Sequence, residues 1–267
     1  MLSPQFINPY KYNHFMNKLK FVLLVFVAIT LNCNKTFAAE SDSLLVNIQE
    51  KIYNSFLSTF NDGNVDKLVN IEKSLDGLKQ KNQIVTYWIA YGKYYESLYY
   101  LKTSDKKKAM SKLNDAIQTL DNVKDKNSES LALLAYLQSF SIQYLGGSSA
   151  ASMANKVKSN AQLALQSDST NLRAWYVLAS NDYYTPVAFG GGQKCEKYLL
   201  KAVSLDEQTI PNTYMPSWGK VEAYSLLIDF YYNKEDYKKA KEILSQALAF
   251  YPTNYMINQY VEKLKDK

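Results

Sequence analysis

The chain has 267 residues, with 31 basic and 25 acidic side chains, 23 tyrosines, two cysteines and one histidine. Its 9 glycines and 6 prolines are too few for a collagen-like or low-complexity chain, and two cysteines cannot staple a disulfide mini-protein. The length allows one elongated or two compact domains with a sizeable core.

The N-terminus comes first. Lys18 and Lys20 precede an apolar run from Phe21 to Leu31, and Thr36-Phe37-Ala38-Ala39 then offers the small residues a signal peptidase needs. This order predicts a cleaved secretory signal peptide over residues 1–38, with Met16 as an alternative start directly before the basic residues. The run is shorter than the roughly 20 residues that span a bilayer, which ranks a permanent anchor lower. A buried N-terminal helix is the bland alternative. Lipidation is a further one. Leu31-Asn32-Cys33 stands where lipoproteins are cut before a cysteine, although Asn32 is a poor substitute for the usual small residue. A lipid on Cys33 would be the one membrane contact expected. The expected location is periplasmic or secreted, with envelope anchoring only by that route.

Residues 1–38 hold four lysines and no acid, so residues 39–267 carry 27 basic against 25 acidic groups, a net of +2. Arg173 is the sole arginine. Phosphate and base recognition lean on arginine forks and clustered charge, so nucleic-acid binding is disfavoured.

After residue 39 apolar residues recur at three and four, the helical period. Leu45, Ile48, Ile52, Tyr53, Phe56, Leu57 and Phe60 mark a first helix, Asp62-Gly63-Asn64 a turn, and Val65, Leu68, Val69, Ile71, Leu75 and Leu78 a second. Four further pairs follow. In the first, Trp88, Tyr91, Gly92 and Tyr95 precede Ala109, Leu113 and Ala116; in the next, Leu137, Phe140, Ser141 and Tyr144 precede Val157, Ala161 and Ala164. Trp175, Leu178 and Ala179 precede Cys195, Leu199 and Ala202. Last, Tyr224, Leu227, Ile228 and Tyr231 precede Ala240, Leu244, Ala247 and Pro252. Large residues on each first helix fill the groove, the alanines let the second approach closely, and Pro252 stops the last helix. Cys195 occupies a small-residue slot and reads as a packed thiol.

Tyr231 stands nine residues before Ala240, whereas Tyr95 stands 14 before Ala109 and Tyr144 stands 13 before Val157. Asp182, next to Tyr183, is likewise 13 before Cys195. Each middle pair is therefore expected to carry four or five extra residues at its hairpin tip, on one edge. Phe189-Gly190-Gly191-Gly192 reads as a turn needing positive φ before it reads as an anion loop, since it lacks the Lys-Ser/Thr of a P-loop. Pro211 to Gly219 reads as an extended connector, with Trp218 plugging a seam between hairpins.

The order Tyr224-x2-Leu227-Ile228-x2-Tyr231, then Ala240-x3-Leu244 and Pro252, resembles the tetratricopeptide repeat family. Thr185-Pro186, Phe189-Gly190-Gly191-Gly192 and Pro216-x-Trp218-Gly219 are similar to exported bacterial members of it. The resemblance covers about residues 84–254. It implies an all-α fold, a right-handed α-solenoid over 39–267, with hairpins at about 42–80, 84–123, 130–170, 172–208 and 220–254; the first is a true repeat or a cap. It also implies a groove lined by the first helices. The groove candidates are Lys93, Glu96, Arg173, Tyr176, Tyr183, Tyr184, Asp229, Tyr232 and Asn233, with Thr86, Ile89, Ser180, Glu222 and Ser225 beside them. The Lys/Asn clamp by which family members hold C-terminal carboxylates is not matched at these positions.

His14 is the only imidazole and lies within residues 1–38, so Ser-His-Asp triads, Cys-His pairs and ordinary zinc sites are excluded from the mature chain. Asp105, Asp115, Asp121 and Asp125 are interleaved with lysines and read as a solvated face. No catalytic residue, metal or cofactor is expected, and the chain is not expected to be an enzyme. The expected function is an envelope scaffold holding a protein or peptide partner. The alternative is a small-ligand-binding accessory protein of a transport system.

Overall fold

The computed structural model describes residues 43–79, 81–207 and 214–267. The signal peptide, Met16, His14, Cys33 and Pro211 lie outside the described residues. The chain divides into two compact units, Met1–Val46 and Asn47–Lys267. Of the first only one helical turn at 43–45 is described. The rest concerns the second.

Among the described residues the unit is all-helical: α1 Ile48–Asp62, α2 Asp66–Asp76, α3 Gln83–Lys102, α4 Lys106–Asp121, α5 Ser128–Ser141, α6 Gly147–Ser167, α7 Leu172–Tyr184, α8 Cys195–Ser204, α9 Lys220–Asn233, α10 Tyr237–Phe250 and α11 Tyr255–Lys263. Among the described residues no helix is long and apolar enough to cross a membrane. The caps explain the starts. Asn82, Asn127, Asn171 and Asn254 accept the first free backbone N–H groups of α3, α5, α7 and α11, while Asp105 and Asp236 do the same for α4 and α10. Gly63, in the left-handed region at φ 71°, ends α1.

Consecutive helices pack in pairs, α1 with α2 through α9 with α10. Each first helix also lies against the next first helix: α1 on α3, α3 on α5, α5 on α7 and α7 on α9. The close approach within pairs is made by alanine. Ala109, Ala116, Ala161, Ala164, Ala202, Ala240 and Ala247 are all fully buried. Cys195 shares such a slot, 0% exposed, and its thiol is pushed up to about 12 by burial and then by the charge of Asp182.

The hairpin tips differ from expectation. Thr103-Ser104-Asp105 and Lys234-Glu235-Asp236 are the same turn: the middle residue is left-handed in both, φ 65° at Ser104 and 58° at Glu235. Asp105 and Asp236 donate their N–H to the carbonyls of Tyr100 and Tyr231 at 2.8 and 3.0 Å. Nothing is inserted there. The extra length lies inside α3, which has 20 residues against 14 in α9. In the next pair it lengthens α6 to 21 residues. Only between α7 and α8 does it form a loop, at 185–194.

A helix beyond the expected hairpins, α11, follows Pro252. It sets Ile257, Tyr260 and Leu264, 0%, 6% and 2% exposed, against α9 and α10. Their spacing of three and four is helical, and without this cover the apolar ends of α9 and α10 would face water.

A candidate binding face on the first helices

The segment 214–219 lies across the first-helix face. The Trp88 indole donates to the Tyr214 carbonyl at 2.7 Å, and the Ser217 N–H donates to Gln49 Oε1 at 2.8 Å. Trp218 does plug a seam, one far away in sequence: its indole donates to Tyr87 Oη at 2.6 Å, and its ring lies 4.9 Å from Tyr136 and stacked 6.4 Å from Tyr91. The chain thus covers part of its own tyrosine face. Gly219 is required at the end of this segment. Its φ is 112°, and a Cβ there would meet Arg173 Cγ at 2.8 Å and Leu172 Cδ1 at 2.9 Å.

Arg173 is not a groove residue. It is 1% exposed, donates through Nε and Nη2 to the two oxygens of Glu129 at 2.6 and 2.5 Å, and donates through Nη1 to the Trp218 carbonyl at 3.1 Å. Asn171, fully buried, adds donors to Ser128 and Glu129. A charge drawn into the fold this far is kept only by such pairing.

Glu96 and Lys93 are also turned away from a ligand. The identical turns equate Asp105 with Asp236, so Glu96 occupies the slot of the buried Leu227 and Ser97 that of Ile228. Spacing alone had aligned Tyr95 with Tyr231, five residues out of step, which rotates a helical face by about 140°. Glu96 is 0% exposed, 2.7 Å from Lys112 Nζ, and its carboxyl is pushed up to about 7 by burial and then by Glu72. Lys93 donates to Thr119 Oγ1 at 3.0 Å and lies 3.6 Å from Glu72. Ile89 and Ser225 are buried as well.

The remaining candidates except Tyr176 are brought together at the far end, on α7 and α9, beside α11. Tyr183 donates its phenol to Asp229 Oδ2 at 2.9 Å, and Asn233 donates its amide to Tyr183 Oη at 2.6 Å and to Asp229 at 3.0 Å. Lys263 donates to Asp229 Oδ1 at 3.0 Å, with its ammonium 4.1 Å from the Tyr232 ring centre. Burial first, and then the bond to Asp229, raises the Tyr183 phenol to about 12, so it stays a donor. Tyr184 packs its edge on Tyr183 at 5.0 Å and is 71% exposed. Tyr176, half-buried, lies 6.3 Å from Tyr136 toward the covered part. Sequence reasoning missed Lys263 because it lies on the unexpected α11; the apolar 257, 260, 264 pattern is the signal that places it. Glu222 beside this face accepts from the Gly219 N–H at 2.7 Å, and burial raises its carboxyl.

A depression of about 550 Å³ lies elsewhere, between α4, α5 and α6, lined by Leu131, Leu134, Leu163 and Asn160 among others. None of the tyrosines borders it.

No family model matches the chain, and no curated protein does. Among solved structures, the chain is similar to the HusA haemophore from Porphyromonas gingivalis, with 20% identity, 69% of this chain and 93% of that chain covered, and a TM-score of 0.48. That likeness is too distant to transfer a fold or a ligand.

Proposed function

We propose that this chain is an exported, tetratricopeptide-like right-handed α-solenoid that holds a protein or peptide partner in the cell envelope, without catalysis of its own. The partner docks on the end of the tyrosine face formed by α7, α9 and α11. The observation that carries this reading is the network of Tyr183, Asp229, Asn233 and Lys263, with the exposed Tyr184 packed on Tyr183. Tyrosines held in place by hydrogen bonds offer large contact area at little entropy cost, the usual make-up of interface anchors. The two identical hairpin turns support the repeat reading, and the covered stretch near Trp218 directs a partner to the open end.

The test is cross-linked capture from envelope extract with wild type and Tyr184→Ala, whose exposed ring leaves the fold intact on removal. A partner held by wild type and lost in the variant supports the reading. Equal capture by both sinks it. Capture by neither, with a melting temperature raised by a small molecule, would favour the rival small-ligand accessory.

A further inference from the structure

The hairpin tips form one contiguous edge. Lys106 of the first long pair sits 5.7 Å over the ring of Tyr144 at the end of α5. Asn181 near the end of α7 donates to the Ala154 carbonyl of α6 at 3.5 Å. Lys239 at the last tip lies 3.7 Å from Glu196 at the start of α8.

Positive charge is concentrated on that edge. Residues 102–108 carry four lysines and one acid, 182–197 two and two, and 234–239 three and two, a net of +4 against +2 for all of 39–267. The remainder is net acidic. Lys108 and Lys239 answer Asp105 and Asp236 at 3.0 and 3.4 Å. Lys102, Lys107, Lys234 and Lys238 are exposed and in excess.

Apolar side chains stand on the same edge. Val187 and Phe189 are 83% and 82% exposed, and Leu145 at the neighbouring tip is 37% exposed. They are held there rigidly. The N–H groups of Phe189 and Gly190 donate to Pro186 and Val187, and that of Gly192 donates to Asp182, while Asp182 Oδ2 accepts from Lys194 and Cys195. Gly191 packs so close to Thr185 that a Cβ would lie 1.8 Å from its carbonyl oxygen. A loop fixed this tightly, with its largest apolar groups in water, is shaped to bury them elsewhere.

We propose that this edge docks on an anionic lipid surface, with Val187 and Phe189 entering the headgroup layer and the lysines facing lipid phosphates. Lysine excess flanking an apolar wedge is the pattern that anionic bilayers attract. The surface adjoins the open end of the tyrosine face, since Tyr184 ends α7 three residues before Val187 and Asn233 ends α9 next to Lys234.

The test is flotation of the full chain with vesicles of phosphatidylcholine alone or with one quarter phosphatidylglycerol, at low and high salt. Wild type is expected to prefer the anionic vesicles, with the preference falling as salt rises. Lys106→Glu/Lys107→Glu should weaken anionic binding about tenfold or more, and Phe189→Asp should weaken it with circular dichroism unchanged. Variants that keep the wild-type preference would overturn the proposal. So would a wild type indifferent to phosphatidylglycerol.

Discussion

Arg173 and Glu129 face each other with both side chains buried, 1% and 8% exposed, joined by two parallel hydrogen bonds. Glu129 stands in the first turn of α5 and Arg173 in the first turn of α7. The third arm of the guanidinium reaches the Trp218 carbonyl. One arginine therefore ties two helix pairs to the segment that covers them. Its fork geometry is what a lysine could not supply.

Arg173→Met should cost about 3–5 kcal/mol, because Glu129 is left as a buried, unanswered charge. Urea denaturation followed by circular dichroism reads this directly. The double variant Arg173→Met/Glu129→Leu should recover much of the loss, since two apolar groups leave no charge behind. A double variant as unstable as the single one would show that the guanidinium acts mainly through Trp218.

Trp218→Ala should cost about 3–5 kcal/mol for a large buried aromatic. It removes the contacts with Tyr91 and Tyr136 and leaves the Tyr87 phenol without its donor. Hydrogen exchange should then quicken in α3 and α5 and stay unchanged in α10, which 218 does not touch. Uniform quickening would mean that the unit unfolds as one body whichever contact is lost.

Glu96 makes stability depend on pH. Its native carboxyl titrates at about 7, above the ordinary 4.5 that it regains on unfolding. Between those values the native state binds more protons than the unfolded one, so this group's contribution falls as pH rises through the window and is level above it. The groups facing it are Glu72 from α2 and Lys112 from α4. Relative to wild type, Glu96→Gln should gain up to about 3 kcal/mol from pH 4.5 to pH 7.5. A pH-independent difference between the two proteins would show that Glu96 stays ionised in the fold.

Much of the helix pairing was legible in the sequence because it is local. Apolar residues at three and four and alanines at the close approaches act within a turn or two. Cys195 and Trp218 were read correctly for the same reason, from the size of the slot and the character of the connector. The inserted lengths were not legible: four or five extra residues look alike in spacing whether they loop out, as at 185–194, or lengthen a helix, as in α3, and the second case turns Glu96 from groove to core.

The sequence by itself determined the helices, their order and where small residues must sit, since backbone hydrogen bonds and side-chain periods reach only a few residues. The tertiary structure alone decided that Arg173 is buried, that 214–219 covers the first helices, and that Lys263 joins Tyr183 and Asp229. Those contacts join residues 44, 126 and 34 positions apart. Which distant groups meet depends on how whole helices stack and where each charge finds its partner, and no local spacing carries that.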